Sequence, residues 1–215
     1  MSKYDKTYCN PTPLPDYPIG RLCYKDDFVR REDFRESADP SVIFDNGVWY
    51  LYPSCGMVYW SDDFIHWNHE HMEPYDIGYA PTVVKHKGRY LLCAMSSELY
   101  VSDSPLGPFV PHSKGALTPS DWECLDGTLY IDEEGVPYLV FCHEHTQIID
   151  GTICYVRLNE ELNSLVGEAV TMFSASSYEL VDPQPNGHYI TDGPFMYRSK
   201  SRPSFLFLNL TANCE

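Results

Sequence analysis

Three of four equivalent turn positions in the chain carry carboxylates. Asp39, Asp126 and Asp192 each stand directly before a Pro or a Gly, and Ala80 occupies the remaining position. If these side chains converge, their negative charges repel one another and the pKa of at least one carboxyl rises. One carboxyl group then serves as an acid while another remains a base. A single Asp before Pro or Gly is equally typical of a plain turn, but three at equivalent places favour a shared chemical role.

These positions recur because the chain contains a repeat with a period of about 40 residues. In the segment 39–62, two strand-like runs are joined by Asn46-Gly47, a pair that favours a two-residue hairpin turn. An offset of 41 residues aligns this segment with the segment 80–103. Further copies begin at Asp126 and at Asp192. Each copy predicts a meander of short antiparallel strands, and we see no convincing helical period.

Repeats of this kind are typical of a β-propeller, with a β-sandwich as the alternative. We therefore expect an all-β chain with one propeller domain over residues 1–215, an N-terminal segment 1–38, and blades starting near 39, 80, 126 and 192. The stretch 159–188 is polar and rich in turn residues. The last blade lacks the expected turn glycine, so we expect about three and a half to four blades. Either the sequence is truncated or altered near its C-terminus relative to a longer parent, or the N-terminal segment 1–38 completes the terminal blade.

Charge and composition limit the partners that the chain can have. It has 31 acidic residues against 15 basic ones, a net charge of −16, which disfavours nucleic acid and anionic membrane surfaces. The sequence contains no apolar run of the roughly 20 residues that span a bilayer, and its first residues do not resemble a signal peptide. We expect a cytoplasmic protein and leave its oligomeric state open. Cys93, Cys142 and Cys154 lie in apolar runs, which predicts buried thiols rather than disulfides.

The residues around the four turn positions resemble known motifs. The four motifs are Ala38-Asp39-Pro40-Ser41-Val42, Tyr79-Ala80-Pro81-Thr82-Val83, Asp126-Gly127-Thr128 and Asp192-Gly193-Pro194. In this order and spacing they resemble glycoside hydrolase family 43, and the resemblance covers about residues 36 to 200. That family includes α-L-arabinofuranosidases, β-xylosidases and arabinanases. The resemblance implies a five-bladed β-propeller, of which this chain supplies only part.

The resemblance also implies roles for individual carboxylates. Asp39 matches the general base that activates water, and Asp126 matches the carboxylate that orients the acid and tunes its pKa. Asp192 stands where the family usually has the glutamate that acts as general acid, and its side chain is one methylene shorter. Glu144 is the alternative acid, because it lies in a polar cluster directly after a predicted strand. A solvated loop charge is the other interpretation of Glu144.

Together these residues imply an inverting glycoside hydrolase acting on plant polysaccharides or oligosaccharides that contain arabinose or xylose. Arg35, Tyr79 and Trp122 are candidate substrate-binding residues, since aromatic rings stack on sugars and Arg hydrogen-bonds hydroxyls. We expect no organic cofactor. Some relatives hold Ca²⁺ in the central channel, usually with a His from the fifth blade as a ligand. We expect the fifth blade to be missing from this chain, so we assign no Ca²⁺ ligand. His143 and His145 lack a clear third partner for a metal.

Two other functions stay open. The chain is alternatively an inactive fragment, or a carbohydrate-binding remnant of such an enzyme, because its last blade is incomplete and Asp192 replaces the usual glutamate. A related propeller family that cleaves sucrose or fructans is disfavoured, because the segment 38–41 lacks the Asn-Asp-Pro-Asn-Gly type of opening. The sugar removed, and action at chain ends or within chains, depend on loop geometry that the sequence does not give.

Overall fold

The computed structural model describes residues 14, 38–54, 56–74, 77–178, 181–197 and 205–209. These residues form three four-stranded antiparallel sheets and one two-stranded sheet. In each sheet the strands pair in the order in which they follow along the chain, so we call the sheets blades one to four. The all-β prediction is confirmed, and the arrangement is that of a partial five-bladed propeller. In the described part of the chain, no helix is both long and apolar enough to cross a membrane.

Blade one consists of four short strands. They are β1 (Ser41–Asp45), β2 (Val48–Tyr52), β3 (Met57–Ser61) and β4 (Asn68–His71). The predicted turn at Asn46-Gly47 joins β1 to β2, and its two residues have φ values of 49° and 86°. Positive φ at both central positions is what a type I′ hairpin turn requires, which confirms the predicted hairpin.

Blade two repeats this design, as the offset of 41 residues predicts. Its strands are β5 (Thr82–His86), β6 (Arg89–Cys93), β7 (Leu99–Ser102) and β8 (Val110–Pro111). Lys87-Gly88 forms the first hairpin turn with φ values of 48° and 81°, nearly the same geometry as in blade one. The segments 39–62 and 80–103 therefore match in structure as well as in sequence.

Blade three has longer strands. They are β9 (Cys124–Ile131), β10 (Pro137–His143), β11 (Thr152–Leu158) and β12 (Leu165–Ser174). A one-turn helix, α1 (His145–Ile148), lies between β10 and β11, and a 3₁₀ turn (Ala175–Ser177) follows β12. The interpretation of 159–188 as a turn-rich stretch was wrong for β12. This strand lies at the outer edge of its sheet and is largely exposed, so its sequence carries little hydrophobic signal.

Blade four is described as two strands, β13 (Asp192–Tyr197) and β14 (Phe205–Asn209). They pair antiparallel, with Asp192 opposite Asn209. The first strands of the blades begin at or within two residues of the predicted starting positions. Most of the N-terminal segment and the last residues lie outside the described part, so the extent of the domain stays a prediction.

The core lies between adjacent blades. Residues buried between blades one and two include Tyr52, Val58, Val83 and Leu92. Residues buried between blades two and three include Leu91, Leu99, Leu129 and Phe141. Cys93, Cys142 and Cys154 are buried and free of disulfides, as predicted. Burial of these side chains fixes neighbouring blades against each other and so sets where their first strands begin.

Hydroxyl groups at one repeated position connect the first strands of adjacent blades. Each belongs to the third residue of its motif, counted from Asp39, Ala80 or Asp126. Ser41 Oγ accepts from the N–H of Val83 at 3.2 Å, Thr82 Oγ1 donates to the carbonyl of Gly127 at 2.8 Å, and Thr128 Oγ1 donates to the carbonyl of Pro194 at 2.6 Å. These bonds hold the starts of the four inner strands side by side.

Candidate active site

The predicted carboxylates stand at the same end of their blades. Asp39 precedes β1, Asp126 lies near the start of β9, and Asp192 is the first residue of β13. Asp39 and Asp126 have φ values of 49° and 57°, a left-handed conformation that Asp adopts more readily than most residues. The structure brings the three together: the N–H of Gly193, next to Asp192, donates to Asp126 Oδ2 at 3.2 Å, and the charge of Asp192 raises the pKa of both Asp39 and Asp126.

Asp39 is held by a serine that the sequence analysis did not identify. Ser54 is fully buried, and its Oγ donates to Oδ2 of Asp39 at 3.4 Å while accepting the N–H of Ala80 at 3.1 Å. Ser54 also donates its own N–H to the carbonyl of Ala38 at 2.9 Å. Partial burial, and then the charge of Asp192, raise the pKa of Asp39 above its usual value, and the Ser54 hydrogen bond opposes this rise.

Asp126 and Asp192 form a carboxyl pair. Asp126 is only 5% exposed, and its Oδ2 accepts the N–H of Gly193 at 3.2 Å. Burial, and then a hydrogen bond to the Asp192 carboxyl, raise the pKa of Asp126 to about 8. Two carboxyl groups can share a hydrogen bond only when one of them keeps its proton, and the raised pKa makes Asp126 the group that keeps it near neutral pH.

Glu144 lies at the same end of blade three as Asp126, but it follows β10 whereas Asp126 belongs to β9. β10 runs antiparallel to β9, and His143 at its end pairs with Cys124 at the start of β9. Glu144 follows directly, with a side chain that is 13% exposed. Burial, then the charges of Asp192 and Glu123, raise the pKa of Glu144 to about 7. The side chain is therefore half-protonated near neutral pH, which argues against a merely solvated loop charge.

A network of hydrogen bonds fixes the backbone on both sides of Glu144. Gln147 Oε1 accepts the N–H of Glu123 at 2.9 Å and bonds His143 Nε2 at 2.6 Å, and Gln147 Nε2 donates to the carbonyl of Asp121 at 2.9 Å. Because an amide oxygen only accepts, Nε2 of His143 carries a hydrogen. Thr146 Oγ1 donates to Glu123 Oε2 at 2.7 Å. We call these five residues the 121–147 bracket. Their spacing in the sequence does not predict these hydrogen bonds.

The candidate substrate-binding residues have different outcomes. Arg35 lies outside the described residues. Tyr79 is half-buried and directly precedes Ala80 at the start of blade two. Trp122 stacks on His143 with ring centroids 4.1 Å apart and an interplanar angle of 10°, so protein already covers one of its ring faces. Sugar contacts by Tyr79 and Trp122 stay predictions.

Two histidines lie beside Glu144. His145 Nδ1 is 3.3 Å from Oε2 of Glu144, and its ring meets that of His188 edge-on at 5.6 Å. His143 instead bonds Gln147, so the structure does not bring His143 and His145 together as a ligand pair. Within the described ranges, no three His, Cys, Asp or Glu side chains are grouped so that they could hold a metal ion.

Comparison with known proteins identifies the family. Residues 38–209 match the family model of glycosyl hydrolases family 43. The chain is similar to the structure of an endo-arabinase from Bacteroides thetaiotaomicron, with 35% identity, a TM-score of 0.71, and coverage of 78% of this chain and 67% of that one. None of the curated protein sequences that were compared matches the chain.

Two further structures support the fold alone. A thermostable family-43 glycoside hydrolase is 19% identical with a TM-score of 0.65, and covers 81% of this chain and 64% of its own. An endo-1,4-beta-xylanase from Bacteroides thetaiotaomicron is 24% identical with a TM-score of 0.61, and covers 77% of this chain and 60% of its own. The chain thus spans about two thirds of the length of these relatives. With its motifs, blades and carboxylates considered together, the chain belongs to glycoside hydrolase family 43.

Proposed function

We propose that the protein hydrolyses glycosidic bonds in arabinose-containing polysaccharides or oligosaccharides, with inversion at the anomeric carbon. The observation that carries this proposal is the convergence of Asp39, Asp126, Glu144 and Asp192 at one end of the blades, where their charges act on one another. An inverting glycosidase needs one ionised and one protonated carboxyl group around the bond that breaks. The 35% identity to an endo-arabinase favours arabinose over xylose.

In the proposed mechanism Asp39 is the general base. The hydrogen bond from Ser54 opposes the rise in the pKa of Asp39, which favours its ionised form, and it orients the carboxylate. Asp39 removes a proton from a water molecule as that water attacks the anomeric carbon. Asp39 is also the most exposed of the four carboxylates, as a residue that must admit water requires.

Glu144 is the general acid in this mechanism, and protonates the departing glycosidic oxygen. An effective acid has a pKa close to the working pH, and that of Glu144 is about 7. Asp192, the residue at the family's usual acid position, is engaged with Asp126 in the carboxyl pair. The pair supplies the neighbouring negative charge of Asp192 that keeps Glu144 protonated. Tyr79 and Trp122 are proposed to line the sugar site.

Leaving-group dependence tests these roles. We would compare wild type with D39N, E144Q and D192N on an arabino-oligosaccharide and on a dinitrophenyl arabinoside, whose leaving group needs no protonation. E144Q should lose about 10²- to 10⁴-fold in kcat on the oligosaccharide and far less on the aryl substrate. D39N should lose activity on both. If D192N shows the leaving-group pattern and E144Q does not, Asp192 is the acid.

Proton NMR of the first product tests inversion, because the new anomer appears before mutarotation mixes the two forms. A product of retained configuration would contradict the mechanism. If the folded wild-type protein binds the oligosaccharide by calorimetric titration but never cleaves it, the chain is a carbohydrate-binding remnant. That outcome would refute the proposed hydrolysis, because Asp39 would then not activate water.

A further inference from the structure

The loop between β10 and β11 contains a strained isoleucine. Ile149 follows α1 with φ 67° and ψ −53°, and the N–H of Asp150 donates to the carbonyl of Ile148 at 2.8 Å. These angles and this bond define a classic γ-turn, a rare and strained conformation. Nine described residues other than glycine have positive φ, and Ile149 is the β-branched one among them. Such a conformation in a β-branched residue is a genuine outlier.

Packing does not explain why an isoleucine stands there. Its side chain is 59% exposed, so most of its apolar surface faces solvent. A glycine would adopt the same backbone without strain. The strain persists because the surrounding bonds fix the loop: the N–H of Ile149 donates to the carbonyl of His145 at 2.9 Å, and its carbonyl accepts from Tyr189 at 2.9 Å. Strained residues of this kind concentrate at binding and catalytic sites.

The position of the loop ties Ile149 to the carboxylates. The loop leaves β10 after His143, contains Glu144, and enters β11 at Thr152, which pairs with His143, so it lies at the same end of blade three as Asp126. Tyr189, which bonds Ile149, adjoins His188, and the His188 ring contacts His145 beside Glu144. Ile149 therefore stands between the segment that carries Glu144 and the segment that leads into Asp192.

We propose that Ile149 contacts the sugar ring on the leaving-group side of the cleaved bond. This inference rests on the proposed function, in which the acid stands over the departing oxygen. Glu144 precedes Ile149 in the same loop, and Asp192 follows Tyr189, whose N–H bonds Ile149, so the leaving-group side is the same for either candidate acid. The ligand is a saccharide unit whose apolar C–H face packs on the exposed isoleucine, and binding sites commonly use apolar side chains in this way.

The test combines stability with kinetics in wild type, I149G, I149V and N46G. Asn46 also has positive φ, but lies in the hairpin turn at the far end of β1, so N46G relieves a similar conformation away from the site. Substrates are an arabino-oligosaccharide and a nitrophenyl arabinoside, which has no sugar beyond the cleaved bond. I149G should raise KM for the oligosaccharide about five- to tenfold and change the aryl substrate less than about twofold.

I149V should keep most of the wild-type KM, and N46G should leave both substrates unaffected. The unfolding temperature of I149G should stay within about 2 °C of wild type, because relief of strain offsets the added freedom of glycine. An unchanged oligosaccharide KM in I149G would overturn the inference. So would a fall of more than about 5 °C, since Ile149 would then be packing against protein.

The inference can fail separately from the proposed function. If wild type cleaves neither substrate, calorimetric titration with the oligosaccharide replaces the kinetic assay. At least fivefold weaker binding in I149G would still support the sugar contact in a protein that binds without cleaving. Equal binding in both proteins, or no binding by wild type, would overturn it.

Discussion

Substitution of Glu123 by glutamine should move the alkaline limb of the pH–rate profile to lower pH. Burial, the charge of Asp192 and the charge of Glu123 together raise the pKa of Glu144 from 4.5 to about 7. Glu123 is the smallest of these three causes, so it accounts for at most a third of the rise, or about 0.8 pH unit. E123Q removes the charge, eases ionisation of Glu144, and lowers its pKa by up to that amount.

Glutamine at this position keeps an oxygen that can accept the hydrogen bond from Thr146, so the backbone around Glu144 should not move. The assay is kcat/KM on an arabino-oligosaccharide from pH 5 to pH 9. Activity should match wild type near pH 5.5 and fall up to about sixfold below wild type near pH 8. E168Q, at an exposed position on β12, is the matched control and should leave the profile unchanged.

An E123Q profile whose alkaline midpoint coincides with that of wild type would refute the electrostatic reasoning. It would show either that Glu144 is not the titrating acid or that the Glu123 charge does not reach it. E144Q separates these two explanations, because it abolishes the alkaline limb only when Glu144 is the acid. A uniform loss of activity at every pH would instead show that the substitution had disturbed the 121–147 bracket.

Three further substitutions test the groups around the site. S54A should lower stability by about 1–3 kcal/mol, because a buried N–H loses its acceptor, and should move the acidic limb to higher pH as the pKa of Asp39 rises. Because burial and the Asp192 carboxyl raise the pKa of Asp126 to about 8, its protonation stabilises the fold fully below about pH 3.8, and this stabilisation is lost as the pH rises to about 8. Thermal unfolding of D126N should therefore vary less with pH than that of wild type, and an equal pH dependence would contradict this. A Cβ at position 127 would lie 2.6 Å from Cys93 Sγ, so G127A should lower the free energy of unfolding by about 1–3 kcal/mol. An unfolding temperature equal to that of wild type would contradict this.

The repeat and the carboxylates could be predicted because both follow local rules. Asn46-Gly47 specifies its own turn geometry, and the same turn recurs at Lys87-Gly88 where the offset of 41 residues places it. Asp126 could be selected from the many acidic residues of the chain because it stands at a repeated position beside a glycine. The structure explains that glycine, since a side chain at Gly127 would collide with Cys93 and Ser97.

The residues that support the carboxylates could not be predicted, because their partners are distant in sequence and their geometry depends on how the blades pack. Ser54 contacts Ala80 across 26 residues, and nothing in the segment around it marks its hydroxyl as an acceptor. Gln147 bonds Glu123 and Asp121 across 24 and 26 residues. The strand β12 was missed for another reason, since an exposed edge strand has no buried face to impose an alternating pattern.

The aspartate at position 192 is the departure from the family pattern that most needs a physical reason, and the carboxyl pair supplies one. Asp126 is nearly buried and bonds both the Gly193 N–H and the Asp192 carboxyl, so the first turn of blade four is drawn close to blade three. Glu144 reaches the same site from the end of β10, and the charge of Asp192 raises its pKa. In the mechanism proposed above, Glu144, directly after β10, donates its proton to the leaving oxygen, and the charge of the shorter Asp192 side chain keeps Glu144 protonated until then.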